Sequence, residues 1–238
     1  MSLSSGGAAE DRGPQGLDLL NLGHRGAAGH LPENTIPGFH KAVELGADGF
    51  ELDVRLTADA RLVVVHGLVV NGRAVQTSPY AELRNAQQGF QIPLLDEVLE
   101  AFGRRVFLDI ELKAPGFEAG AIGLIEKYCD MAQVLVSSFH PATLLKVRQL
   151  TPDLQVGFIY NRTQEEGTRH NCPVDVIKPQ FRLASRDLIN QAHAEGLRVF
   201  AWTVNDAHEA GRLMELGIDG LITDYPEMVA GLAGRSAA

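Results

Sequence analysis

In Phe107-Leu108-Asp109-Ile110-Glu111-Leu112-Lys113, apolar and charged residues alternate from Leu108 onward. Successive side chains of a strand point to opposite faces. Leu108, Ile110 and Leu112 therefore share one face, and Asp109, Glu111 and Lys113 the other. Phe50-Glu51-Leu52-Asp53-Val54 repeats the pattern, with Glu51 and Asp53 opposite three apolar residues. Both segments belong to a chain in which strands alternate with helices. That pattern implies parallel strands joined by right-handed crossovers. In a closed barrel the apolar faces meet the helices, and the charged faces point inward.

Outward from these two segments, strands are expected at residues 19–23, 49–56, 106–112, 134–137, 154–160, 174–178, 197–203 and 218–223. Helices are expected at 36–45, 94–102, 117–129, 141–150, 185–195, 206–216 and 226–232, with a weak one at 163–170. Gly46, Gly196 and Gly217 stop three of them, and Pro141 opens another. After the second strand, 61–65 forms an extended run closing on His66, and Asn71-Gly72 favours a hairpin turn. The fold expected is a TIM-type (β/α)8 barrel with a short inserted arm after strand two. Gly23-His24-Arg25-Gly26 does not fit the dinucleotide fingerprint of an open doubly wound sheet.

A charge pointing into a barrel costs several kcal/mol unless it is paired or metal-bound. Glu51, Asp53, Asp109 and Glu111 set four carboxylates against one well-placed lysine, Lys113. Oxygen ligands in excess of cations suit Mg²⁺ or Ca²⁺. The alternative is an internal salt-bridge network with Lys113 and Arg55 as partners. His24 and His66 follow apolar strand segments, and a barrel builds its site at the C-terminal strand ends. Such a pair can supply a general acid and a general base. His140 ranks third, and His30, His40, His170, His193 and His208 read as packing or surface residues. Arg25 offers a planar fork for phosphate oxygens and Lys113 a point charge, although Arg25 also has Glu33 and Glu51 as potential ion-pair partners.

Taken together in chain order, a set of motifs resembles the glycerophosphodiester phosphodiesterase family. They are Gly23-His24-Arg25-Gly26, Pro32-Glu33-Asn34-Thr35, Phe50-Glu51-Leu52-Asp53-Val54, Val64-Val65-His66 and Ile110-Glu111-Leu112-Lys113. Ile92 to Leu99, Ser137-Ser138-Phe139, Trp202-Thr203-Val204-Asn205 and Gly220 to Pro226 complete the set. The resemblance implies hydrolysis of a small phosphodiester, a glycerophosphodiester, to glycerol 3-phosphate and an alcohol, with one divalent cation. It implies Glu51, Asp53 and Glu111 as metal ligands, His24 and His66 as the acid/base pair, and Arg25 and Lys113 as phosphate contacts. Glu33 would lie near the metal and Trp202 would line the substrate pocket. One position departs: the family usually has Asp after the second histidine, where this chain has Gly67. Gly67 is expected to weaken the positioning of His66, and Gly67→Asp to supply a partner.

Composition narrows the classes. An apolar fraction of 45% supports a sizeable core, and a net charge of −9 argues against a nucleic-acid binder. No apolar run is long enough to insert in a membrane. Cys129 and Cys172 read as two reduced thiols in a cytoplasmic protein. Residues 1–16 read as a flexible leader and 17–238 as one barrel domain, of undetermined oligomeric state. A glycosidase with paired carboxylates fits the two histidines and the Arg25/Lys113 pair poorly. A sphingomyelinase-type phospholipase lacks support from a secretion signal or disulfide loop. A non-catalytic phosphodiester binder draws support only from Gly67.

Overall fold

A computed structural model of the chain describes residues 19–85, 89–163 and 172–235. The strands are β1 (Leu20–Gly23), β2 (Gly49–Leu56), β3 (Leu62–Val64), β4 (Val69–Val70), β5 (Arg73–Ala74), β6 (Phe107–Leu112), β7 (Val134–Ser138), β8 (Gln155–Tyr160), β9 (Val176–Pro179), β10 (Arg198–Ala201) and β11 (Gly220–Thr223). The helices are α1 (Ile36–Glu44), α2 (Tyr80–Leu83), α3 (Leu95–Phe102), α4 (Glu118–Tyr128), α5 (Pro141–Leu150), α6 (Arg186–Ala194), α7 (Ala207–Glu215) and α8 (Pro226–Leu232). Eight strands run parallel in the order β1-β2-β6-β7-β8-β9-β10-β11, and β11 pairs with β1 to close the barrel. The expected leader and the weak helix at 163–170 fall outside the described residues, apart from Thr163. Among the described residues no helix is long and apolar enough to cross a membrane.

Helix starts follow from local chemistry. Thr35 accepts a hydrogen bond from the Gly38 amide, Ser185 from Leu188 and Asp206 from Glu209, so each caps an orphan amide of its helix. Glu97 reaches back to the Leu94 amide at the start of α3. Both cysteines are free and buried.

Strand alternation divides the interior into two parts. Leu52, Val54, Leu108, Ile110 and Leu112 are fully buried in the apolar layer shared with the helices. Inside the barrel, Leu22, Phe107, Leu135, Val176, Phe200 and Ile222 form a separate apolar cluster. The parallel register aligns Glu51 with Asp109 and Asp53 with Glu111, so the carboxylates lie side by side within the barrel.

Asp109 is fully buried and pairs with Lys178, a lysine only 1% exposed. Lys178 also donates to Ser137 (2.9 Å), and Ser137 donates to Asp109 (2.6 Å). The balance of four carboxylates against one lysine is thus corrected. Lys178 comes from β9, where its sequence neighbours give no sign that it faces Asp109. Among the described residues Arg55 likewise makes no ion-pair contact with a carboxylate and instead donates twice to the His66 carbonyl, at 2.9 and 2.8 Å.

The arm also corrects a premise about His66. The segment leading to it, β3, runs antiparallel to β2, pairing Leu62 with Leu56 and Val64 with Val54. His66 therefore does not end a barrel strand. The chain rises along β2, turns and descends, and the Val65 amide reaches the Asp53 carbonyl (2.9 Å). The fold-back delivers His66 to the level of the inward carboxylates. Beyond it, β4 and β5 form the hairpin expected at Asn71-Gly72.

Removing one member of a buried ion pair strands the other charge, at a cost of about 3–5 kcal/mol. Lys178→Met is expected to lower unfolding free energy by about that amount, and adding Asp109→Asn to restore part of it. Urea denaturation of the two single variants and the double variant measures the coupling, and simple additivity would remove the pair as the cause.

Candidate active site

At the barrel mouth lies a pocket of about 430 Å³. His24, Arg25, Glu51, His66, Glu111, Lys113 and Lys178 form its polar wall. Phe139, Ile159, Trp202 and Ile222 form an apolar wall. The structure thus brings together the sequence-derived candidates from five separate segments. Asp53, only 1% exposed, lies in contact with Arg25 and Lys113, and Glu33 holds Arg25 from outside the lining. His140 sits at the N-cap of α5, exposed and outside the pocket lining.

Glu51, Asp53 and Glu111 are buried, and one carboxylate oxygen of each lies within 4.8 Å of the others. Lys113 contacts Asp53 at 3.2 Å and Glu111 at 2.7 Å. Arg25 contacts Asp53 at 3.1 Å and Glu33 at 2.6 Å. Glu51 accepts a backbone hydrogen bond from Arg25 (3.0 Å) and has no cationic side chain in pairing contact among the described residues. Counting Asp109, Glu33 and the triad, five carboxyl groups meet three paired cations, Arg25, Lys113 and Lys178, so carboxyls outnumber their ion-pair partners by two.

The electrostatic consequences follow from that imbalance. Burial, then the charges of Asp53 and Glu111, push the Glu51 carboxyl well above its ordinary range. Burial and Asp53 push Glu111 up as well, against the pull of Lys113. Burial would raise Asp53 too, but Lys113 and Arg25 hold it below its usual value. Burial pushes the His66 imidazole down, and Asp53 opposes this only in part. Oxygen-only donors with surplus negative charge fit a hard divalent cation. The residues present are therefore consistent with the group that the sequence implies.

The first loop is wound to serve Asp53. Arg25 and Asn34 both adopt positive φ, 53° and 57°, a region uncommon for residues with a side chain. Asn34 donates to the Asp53 carboxylate (2.8 Å) and accepts from the Asp53 amide (3.2 Å). Gly26 follows at φ 88°, and a Cβ there would stand 2.7 Å from the Gly38 backbone of α1. The loop can pack this closely only with glycine.

The two histidines are held differently. His24 Nδ1 lies 2.7 Å from Asp224. The His66 ring makes no hydrogen bond among the described residues, and its backbone is gripped by Arg55. At Gly67, a Cβ would lie 3.0 Å from the Val69 carbonyl, so a side chain there needs that carbonyl to give by a few tenths of an ångström. The sequence reading did not assign roles to Asn34, Phe139, Asn205 or Asp224. Four of its motifs contained them, one each, but nothing in the spacing tied them to particular partners.

Residues 24–228 match the model of the glycerophosphoryl diester phosphodiesterase family. A glycerophosphodiester phosphodiesterase of Caldanaerobacter subterraneus is 34% identical over 241 residues, covering 92% of this chain and 99% of that protein. A glycerophosphodiester phosphodiesterase structure from Thermotoga maritima superposes with a TM-score of 0.74 at 27% identity, covering 92% of this chain and all of that one (100%). A phosphodiesterase from Oleispira antarctica, solved with its product sn-glycerol-3-phosphate, gives a TM-score of 0.82 at 25% identity, covering 90% and 96%. The chain is an enzyme of the glycerophosphoryl diester phosphodiesterase family.

Proposed function

We propose that this site hydrolyses glycerophosphodiesters to glycerol 3-phosphate and an alcohol, using one divalent cation, Mg²⁺ or Ca²⁺, and the pair His24 and His66. The observation that carries this reading is the buried carboxylate triad, set beside His24, His66, Arg25 and Lys113 in one pocket. Glu51, Asp53 and Glu111 would hold the cation. When bound, the ion polarises a phosphate oxygen and offsets the charge that develops on it.

The remaining work falls to the chain's own side chains. Lys113 and Arg25 line the pocket and meet the phosphate, Arg25 through the part of its guanidinium not committed to Glu33 and Asp53. Glu33 orients Arg25 from beside the pocket, through the 2.6 Å ion pair, within reach of a bound substrate. One histidine takes the proton of the nucleophile, and the other gives a proton to the departing alcohol. The nucleophile is water or the substrate's own 2-hydroxyl, which closes a cyclic phosphate that water then opens. Trp202 is fixed by a hydrogen bond from Nε1 to the Lys178 carbonyl (2.8 Å) and presents an apolar surface to the substrate carbon skeleton. The product bound by the Oleispira antarctica phosphodiesterase, sn-glycerol-3-phosphate, supports a glycerol phosphate as occupant. Release of glycerol 3-phosphate from a panel of glycerophosphodiesters, with and without chelator, tests the reading. Turnover unaffected by chelation would overturn its metal dependence.

His24→Ala and His66→Ala are each expected to lower turnover by about two to four orders of magnitude, the usual worth of a general acid or base. Circular dichroism of both variants checks that the fold persists. Near-native turnover in either would remove that histidine from the chemistry.

A cation held only by the native state raises the melting temperature. At a concentration of one hundred times Kd the gain is about 2.7 kcal/mol, or roughly 5–11 °C for a domain of this size. Mg²⁺ or Ca²⁺ is expected to produce such a rise. Glu51→Gln is expected to raise the metal-free melting temperature, by removing a buried carboxyl that has no cationic side chain in pairing contact among the described residues, and to abolish the response to metal. A Glu51→Gln protein that still melts higher with metal would take Glu51 out of the ligand set.

A further inference from the structure

Asp224 and Asn205 lie just beyond strands β11 and β10, and neither lines the pocket. The β1–β11 register pairs Gly23 with Thr223, so the next residues, His24 and Asp224, emerge side by side at the mouth. The His24 amide donates to the Thr223 carbonyl at 2.7 Å, which anchors the backbone of the histidine. One oxygen of Asp224 meets His24 Nδ1 at 2.7 Å, and the other accepts from Asn205 Nδ2. The carbonyl oxygen of Asn205 in turn accepts from the Asp224 amide (2.9 Å) and from the Thr223 hydroxyl (3.2 Å). Asn205 therefore grips Asp224 by its backbone and its carboxylate at once.

We propose that Asp224 and Asn205 are a positioning pair that holds His24 in the Nδ1–H tautomer, leaving Nε2 as its reacting nitrogen. This deepens the acid/base reading above and rests on it. An ionised carboxylate only accepts hydrogen bonds, so the nitrogen facing it must carry a proton. Burial would raise the Asp224 carboxyl, but the hydrogen bonds from His24 and Asn205 bring it below its usual value, so it stays an anion at neutral pH. The neutral His24 ring then has a bare lone pair on Nε2, and the ring lines the pocket. When Nε2 takes the proton of an attacking hydroxyl, the O–H bond breaks and an N–H bond forms. The resulting imidazolium charge is balanced by Asp224. His66 has no such device, because its ring is without a hydrogen-bond partner among the described residues and its anchor is the grip of Arg55 on its carbonyl. The two histidines therefore enter the reaction unequal, with only His24 locked in one tautomer.

Asp224→Asn keeps the shape and removes the charge. Its amide can donate to Nδ1, which moves the ring proton to Nε2. With ¹⁵N-histidine-labelled protein in Mg²⁺ at mildly alkaline pH, two-bond ¹H–¹⁵N correlation is expected to show His24 protonated at Nδ1 in the native chain and at Nε2 in Asp224→Asn. In the same variant kcat is expected to fall on the order of 100-fold, with KM little changed. Asn205→Ala, which leaves the Asp224 carboxylate in place but loosens it, is expected to lower kcat roughly tenfold. A native His24 protonated at Nε2 would overturn the proposal without any variant, and so would native kcat in Asp224→Asn. A fully active His24→Ala would instead overturn the acid/base reading itself. An inactive His24→Ala beside an unimpaired Asp224→Asn would sink the positioning pair alone.

Discussion

The parallel register of β2 against β6 places Asp53 opposite Glu111 and Glu51 opposite Asp109, inside a closed barrel. Carboxylates packed this way repel one another and have lost water, and the rest of the site answers that constraint. Lys178 neutralises the deepest of them from β9. Lys113 lies between Asp53 and Glu111, while Arg25 and Asn34 reach Asp53 from the first loop. Among the described residues Glu51 has no cationic side chain in pairing contact. A fully neutralised barrel would be more stable, and it would have nothing with which to attract a cation. The site retains an imbalance that the fold alone does not relieve.

Much of this was legible before any coordinates. Period-two alternation in 50–54 and 107–113 placed the charges on one face, and regular strand–helix succession supplied the barrel that turns this face inward. The eight strands and their order follow from local signals, because each is bounded by a cap, a proline or a glycine. The triad could be narrowed from four carboxylates to three only by resemblance. Spacing alone treats Asp109 and Glu111 alike, and what separates them is Lys178, which lies 69 positions beyond Asp109 in the chain and reaches it through barrel curvature.

His66 shows the opposite limit. The sequence identified the residue, but for a geometric reason that does not hold. An apolar run ending in histidine reads as a strand delivering it to the rim, and periodicity carries no direction. Only pairing reveals that β3 descends. The partner of His24 was equally hidden. Asp224 stands 200 residues away in sequence, and its role depends on closure of the first strand against the last.

That closure has a consequence for how the molecule fails. Barrel seams open locally before whole domains unfold, and loops at the mouth belong to the less stable parts of a fold. The β1–β11 seam carries both anchors of His24, its amide on Thr223 and its ring on Asp224. A fluctuation that parts these two strands by a single hydrogen bond leaves the helices and most of the core in place. It nevertheless frees the imidazole to turn. On the role proposed for His24, catalytic output is thus a local gauge of whether the ring of strands is shut, and it falls silent while the bulk of the protein is still folded.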